Sequence, residues 1–109
     1  MTTIAHKLAI AIPENQLRDF CRRWKITKFW LFGSVTKPEE FRTDSDIDVM
    51  IEVASDAKWS LFNFVHMKDE LAAIFGREVD LVERRAVEAN ENRFRRQNML
   101  SSAVQLEFG

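Results

Sequence analysis

FGSVTKPEEFRTDSDIDVMIEV, residues 32–53, contains the end of an apolar run, a polar loop and a segment of alternating character. In the last part, DIDVMIEV, every second residue is apolar and branched at Cβ. Because successive side chains of a strand point to opposite faces, this alternation predicts a strand over 46–53. Asp46 and Asp48 then project side by side from the face opposite the branched residues.

Hydrophobic spacing on either side of this segment predicts the remaining elements. Apolar residues at helical spacing indicate helices, whereas short aromatic-rich or alternating runs bounded by turn formers indicate strands. The predicted elements are a helix over 13–24, a buried strand over 26–32, a loop over 33–45 with a helical turn at 38–41, the strand over 46–53, a helix over 59–75 ended by Gly76, a strand over 78–82 and a last helix over 87–106.

This order of elements indicates one small α+β domain. A chain of 109 residues, of which 46% are hydrophobic, is long enough to bury a single core. The expected architecture is an α/β two-layer arrangement, in which a mixed sheet of three to four strands carries helices packed on one face. The domain is expected to comprise residues 1–109, with its core over about 13–106.

The charge balance argues against a general nucleic-acid-binding protein. The net charge is −1, whereas nucleic-acid-binding domains usually have a basic excess or a basic face. No apolar run reaches the roughly 20 residues of a membrane-spanning helix. We therefore expect a cytoplasmic protein that contacts neither a membrane nor nucleic acid directly. The charges are unevenly spread, with acidic residues clustered in 39–48 and arginines in 84–96.

Asp46, Asp48 and Asp80 are the candidate metal ligands. Two carboxylates that project side by side repel each other unless a cation or solvent relieves the repulsion. Mg²⁺ prefers oxygen ligands and commonly takes one or two carboxylates together with substrate phosphates. Asp80 points away from the apolar face of its own strand, so it can serve as a third ligand or as the base for an attacking hydroxyl. The structural alternative for each acid is a solvated strand face.

Gly33 and Ser34 are the candidate phosphate-binding residues. A glycine lets the backbone approach a phosphate closely, and a serine that opens a helical turn offers a hydroxyl and free N–H groups. By itself, a Gly-Ser pair after a strand is usually only a turn. The Gly-Ser pair followed by two acids on one strand and a third acid on the next predicts a site for a metal-bound triphosphate.

The segment over 32–53 resembles the signature of the DNA polymerase β-type nucleotidyltransferase superfamily, and the later EVDLV is similar to its third-aspartate strand. Chain length is similar to that of the minimal nucleotidyltransferases, which are antitoxins paired with HEPN-domain toxins. The resemblance implies the nucleotidyltransferase fold, Mg²⁺ or Mn²⁺ as cofactor and ATP as substrate. It implies phosphate binding by Gly33 and Ser34, and catalysis through metal held by Asp46, Asp48 and Asp80.

The resemblance also implies an acceptor. Relatives of this kind transfer AMP from ATP to a tyrosine hydroxyl of a HEPN ribonuclease toxin, so the chain is expected to form a hetero-oligomer with such a toxin and to act as its antitoxin. A basic residue that often follows the Gly-Ser pair in the family is absent. Lys37 and Arg42 are the candidates to contact the triphosphate in its place.

Two other functions stay open at the level of the sequence. The chain can neutralise a toxin by binding alone, as a non-catalytic antitoxin. It can also transfer a nucleotide to a small molecule, as antibiotic nucleotidyltransferases do, although those enzymes generally use a second domain to bind the acceptor.

Overall fold

A four-stranded mixed sheet forms the centre of the protein, with the strand order β3-β2-β1-β4. The computed structural model describes residues 8–108. The strands are β1 (Ile26–Phe32), β2 (Ile47–Val53), β3 (Val79–Glu83) and β4 (Val104–Leu106). β1 is antiparallel to both β2 and β4, whereas β2 and β3 are parallel. A parallel pair needs a crossover connection, and here it is a helix.

Four α-helices and one 3-10 turn accompany the sheet in residues 8–108. The helices are α1 (Glu14–Arg23), α2 (Leu61–Phe75), α3 (Arg84–Glu88) and α4 (Arg93–Ser102). The 3-10 turn spans Gly33–Thr36 and is called the glycine turn below. No helix within this part of the chain is long and apolar enough to cross a membrane.

The ends of α2 illustrate how local sequence sets the helix boundaries. The hydroxyl of Ser60 accepts from the N–H of Asn63, and the side chain of Asn63 accepts from the N–H of Ser60. This reciprocal pair satisfies two donors that a helix start leaves without partners. Gly76 ends the helix with a φ of +68°, a conformation that glycine adopts without steric cost. The predicted helices over 13–24 and 59–75 are confirmed as α1 and α2.

The sheet buries apolar side chains on both faces. The predicted layer of helices on one face consists of α1 and α2, which pack on the larger core. The helices α3 and α4 cover the opposite face, because alternate residues of β1 and β2 are apolar there as well. Fully or almost fully buried residues of the larger core include Leu17, Phe20, Phe29, Leu31, Ile47, Val49, Ile51, Met67 and Leu71, and those of the smaller core are Trp30, Phe32, Met50 and Val87.

The prediction of one last helix over 87–106 is wrong. The chain instead forms α3, α4 and β4, and the side chain of Asn92 starts α4 by accepting from the N–H of Arg95. β4 alternates buried, exposed and buried residues, which is the period of a strand. The helical turn expected at 38–41 is not formed. Residues 38–40 make a turn closed by the N–H of Glu40 and the carbonyl of Lys37 at 2.8 Å, and the 3-10 turn lies directly after β1 instead.

Leu71→Ala should lower the free energy of unfolding by about 2–5 kcal/mol, because it empties a fully buried position between α2 and the sheet. Leu61→Ala is the matched control on the same helix. Leu61 is 82% exposed, so its truncation should change the free energy of unfolding by less than about 0.5 kcal/mol. Urea denaturation measures both changes, and equal losses would show that the buried face of α2 is misassigned.

Candidate functional site

Two strand registers bring the glycine turn and two aspartates to the same end of the sheet. Asp48 on β2 pairs with Asp80 on β3 in parallel register. On its other side Asp48 pairs with Phe32, the last residue of β1, so the glycine turn begins next to it. Neighbouring strands lie about 4.8 Å apart. Three segments that are distant in sequence therefore meet at one place.

The carboxylate of Asp48 occupies the space that a side chain at Gly33 would need. A Cβ atom on Gly33 would lie 2.2 Å from Oδ2 of Asp48 and 3.3 Å from its Cγ, which is inside contact distance. Gly33 also has a φ of +73°, which residues with a side chain rarely adopt. Contact and backbone conformation both select glycine at this position.

Side-chain hydrogen bonds hold the glycine turn from within and from α4. The hydroxyl of Thr36 donates to the carbonyl of Gly33 at 2.7 Å. The N–H of Gly33 donates to the hydroxyl of Ser102, at the end of α4, at 3.1 Å. Ser34 is half-buried at the start of the turn, where the first N–H groups have no partner within the turn itself. The arrangement suits Ser34 to offer a hydroxyl and an N–H to a ligand.

The surroundings of Asp48 disfavour its charged form. Burial, the largest cause, and the nearby negative charges of Asp80 and Asp46 together raise the pKa of Asp48 from 3.8 to about 6. Asp46 and Asp80 are both exposed. Within residues 8–108, no three His, Cys, Asp or Glu side chains converge closely enough to hold a metal ion. The carboxylates therefore repel one another without forming a closed set of metal ligands.

The donor set nevertheless fits Mg²⁺ bound together with a phosphate ligand. Mg²⁺ keeps several waters and is usually held by one or two carboxylates plus substrate phosphates, rather than by a cage of protein atoms. Asp48 and Asp80 supply two carboxylates from paired positions of neighbouring strands. Asp46, the first residue of the predicted strand, lies one residue before β2. Metal ligation by these acids, and phosphate binding by the glycine turn, stay predictions.

Lys37 and Arg42 lie in the loop after the glycine turn. The Nζ of Lys37 is 3.7 Å from the carboxylate of Glu40, and both side chains are largely exposed. Arg42 has an exposed side chain, and its backbone N–H donates to the hydroxyl of Ser45. No hydrogen bond or ion pair in the described part of the chain joins either side chain to the three acids. Their predicted contact with a triphosphate is therefore not tested by this geometry.

Arg77 contributes to the site in a way that the sequence does not reveal. Its guanidinium donates to three carbonyl groups within residues 42–45, at 2.9–3.2 Å, and lies 4.5 Å from the ring centroid of Phe41. Such charge-assisted bonds and cation–π contacts order a polar loop. Since this loop ends directly before Asp46, Arg77 helps to fix where the backbone of Asp46 lies relative to the sheet. An isolated arginine after Gly76 gives no signal of this role.

Comparison with known families and structures is consistent with this geometry. Residues 14–104 match the family described as nucleotidyltransferase domain. A solved structure described as a minimal nucleotidyltransferase is 27% identical with a TM-score of 0.62, and the alignment covers 83% of this chain and 85% of the other. No curated protein matches the sequence significantly.

Two further structures share the fold. A chain of a toxin–antitoxin complex with AMP-PNP is 23% identical with a TM-score of 0.64, covering 86% of this chain and 72% of the other. A chain of the complex between the tri-AMPylated Shewanella oneidensis HEPN toxin and its MNT antitoxin is 21% identical with a TM-score of 0.55, covering 84% and 66%. At these identities the likeness establishes the fold.

Gly33→Ala should lower the free energy of unfolding by about 2–5 kcal/mol, since strain at a positive φ adds to a clash with Asp48. Gly76→Ala is the matched control, because Gly76 has a similar φ but nothing within 4 Å of an added Cβ. It should lose only about 1–2 kcal/mol.

The same series identifies the clashing partner. Adding Asp48→Ala should raise the stability of Gly33→Ala by more than it raises the stability of wild type or of Gly76→Ala, because only in Gly33→Ala does it also remove a clash. Urea denaturation measures all three changes. Equal losses for the two glycine variants, or no rescue by Asp48→Ala, would rule out the contact between Gly33 and Asp48.

Asp48→Asn should stabilise the metal-free protein by about 1 kcal/mol at pH 7, because burial and the neighbouring acids disfavour the charged carboxylate. The folded-state pKa of about 6 lies above the unfolded value of 3.8, so the native state binds more protons between them. Wild-type stability contributed by this group therefore falls as pH rises through that window. The gain from Asp48→Asn should vanish below about pH 4.

Thermal unfolding in EDTA at pH 4 and pH 7 measures this effect. Asp69→Asn, at an exposed position of α2, is the control and should show no such dependence. A gain of equal size at both pH values, or a loss at pH 7, would refute the electrostatic description of Asp48.

Proposed function

The chain belongs to the nucleotidyltransferase domain family, and on this basis we propose that it is a metal-dependent enzyme. The proposed reaction transfers AMP from ATP to a hydroxyl group, that of a tyrosine, on a partner HEPN toxin. The chain would thereby act as the antitoxin of that partner. The observation that supports this most strongly is the register that places the glycine turn against Asp48 and Asp48 beside Asp80.

In this proposal the acids hold the metal and the glycine turn holds the phosphates. Asp48 and Asp80, with Asp46 as the third acid, would bind Mg²⁺ or Mn²⁺. When bound, the metal offsets the charge of the triphosphate and stabilises the attacking and leaving oxygens. Gly33 permits close approach of the backbone to the phosphates, and Ser34 donates its hydroxyl and N–H to them.

The transfer itself is an in-line displacement at the α-phosphorus of ATP. The acceptor oxygen forms a new P–O bond, the bond to the bridging oxygen of the β-phosphate breaks, and pyrophosphate leaves. A carboxylate accepts the proton of the acceptor hydroxyl. Asp80 is suited to this role because it is exposed on β3, an edge strand of the sheet, where a large acceptor can reach it.

The proposed partner rests on the structures that share the fold. One of them is a toxin–antitoxin complex with AMP-PNP, and another contains a HEPN toxin modified by AMP. The candidate site is formed largely by exposed acids at one end of the sheet, which suits a macromolecular hydroxyl better than an enclosed small molecule. A hetero-oligomer with a HEPN toxin is therefore the proposed assembly.

A second candidate function is neutralisation of the toxin by binding alone. One observation favours it: the buried Val35 occupies the position after Ser34, where relatives often have a basic residue. In that case the acids would contribute little, and the antitoxin would act by covering its partner.

Asp48→Asn should reduce the transfer of label from α-³²P-ATP to a co-purified partner by at least about 100-fold, because it removes charge that stabilises the metal-bound transition state. Asp46→Asn should also reduce it. Asp69→Asn, at an exposed position on α2, is the control and should label the partner normally. Because Asp48→Asn is expected to be more stable than wild type, loss of labelling cannot be attributed to unfolding.

Protection of cells from the partner toxin separates the two candidates. If transfer is the function, Asp48→Asn should fail to protect cells, and mass spectrometry should find no added AMP on the toxin. Protection by Asp48→Asn without modification would favour neutralisation by binding. Normal labelling by Asp48→Asn would exclude the proposed mechanism.

A further inference from the structure

Ser102 links α4 to the glycine turn. It lies half-buried in the last turn of α4, and its Oγ accepts the N–H of Gly33 at 3.1 Å across a sequence separation of 69 residues. α4 has no fully buried residue, and its contact with the sheet is made by the partly buried Met99, Leu100 and the adjoining Ala103. The hydrogen bond to Gly33 therefore adds a directional contact to an otherwise modest packing interface.

The helix itself determines which way the Ser102 hydroxyl points. The Oγ lies 3.0 Å from the carbonyl oxygen of Asn98 and 3.4 Å from that of Met99, so its single proton is donated to a carbonyl of its own helix. The lone pairs of Oγ then face the N–H of Gly33. Toward the glycine turn, Ser102 is consequently an acceptor with a fixed orientation. The adjacent Ser101 donates to the carbonyl of Asn98 at 3.3 Å but is exposed.

Gly33 is thereby held from two sides. Its N–H is directed to Ser102, while its Cα faces the carboxylate of Asp48, where an added Cβ would lie 2.2 Å from Oδ2. Glycine has the widest conformational freedom of all residues, so a turn that starts on glycine needs external contacts to stay in one conformation. Because the N–H of Gly33 is bound to Ser102, the hydroxyl and N–H of Ser34 are the groups that can bind a phosphate.

We propose that Ser102 is a positioning residue for nucleotide binding, which holds the glycine turn in the conformation that presents Ser34 to the triphosphate. This inference rests on the proposed function, but it concerns a residue that does not touch the substrate. Removal of the hydroxyl leaves the N–H of Gly33 without its partner and lets the turn rotate. The main loss should be in nucleotide affinity and KM, with a smaller change in kcat, because the metal-binding acids keep their places.

The test is calorimetric titration with Mg²⁺·α,β-methylene-ATP, which cannot transfer its nucleotide. Ser102→Ala should raise the Kd about tenfold, the effect expected for loss of one partly buried hydrogen bond. Ser102→Thr keeps the hydroxyl and should bind within about twofold of wild type, as should the neighbouring control Ser101→Ala. Equal Kd values for Ser102→Ala and Ser101→Ala would overturn the inference, and so would a loss in Ser102→Thr as large as in Ser102→Ala.

Amide hydrogen exchange at Gly33 tests the same contact without nucleotide. The Gly33 amide should be protected in wild type and should exchange at least about tenfold faster in Ser102→Ala. An unprotected Gly33 amide in wild type would overturn the inference even if Ser102→Ala fails to fold. If wild type does not bind the analogue, the proposed function is contradicted, while exchange at Gly33 still decides whether Ser102 fixes the turn.

Discussion

The carboxylate of Asp48 lies against the backbone of Gly33, in the space that any other residue would fill with its side chain. This contact exists only if Phe32 and Asp48 are opposite each other in the antiparallel pair of β1 and β2. A slip of one residue would turn Asp48 toward the larger core and move its apolar neighbours out of that core, so burial of those neighbours enforces the register. The packing of the sheet therefore determines the position of the glycine turn.

The packing that fixes this register also holds negative charges together. Ile47 and Val49 are fully buried in one core and Met50 in the other, so the backbone on both sides of Asp48 is anchored. Asp48 cannot move away from Asp80, and its raised pKa expresses the free-energy cost in the metal-free protein. Such a cost is typical of sites whose arrangement serves ligand binding rather than stability.

Much of the fold could be predicted from the sequence because the early elements have clear periods. The alternation in β2 and the aromatic run of β1 predicted both strands, and helical spacing predicted α1 and α2. The C-terminal part could not be predicted in this way. β4 has only three residues, too few to distinguish a strand from the end of a helix, and its pairing with β1 depends on contacts distant in sequence.

The geometry of the candidate site could be predicted only in part. Spacing predicted that Asp46 and Asp48 lie on one side of a strand and that Asp80 lies on the polar side of another. It could not give the register that pairs Asp48 with Asp80, because register depends on how the whole sheet packs. The contacts of Ser102 with Gly33, and of Arg77 with the loop before Asp46, are tertiary and leave no periodic signal.

We propose that metal and nucleotide bind together where the glycine turn meets β2 and β3. Paramagnetic broadening of amide NMR signals by Mn²⁺·α,β-methylene-ATP locates the metal directly. We expect the strongest broadening at Ser34, Asp48 and Asp80, and little at Leu61 and Phe62, because α2 starts beyond the far end of β2. Broadening centred on another part of the protein, or spread evenly over it, would contradict this location of the site.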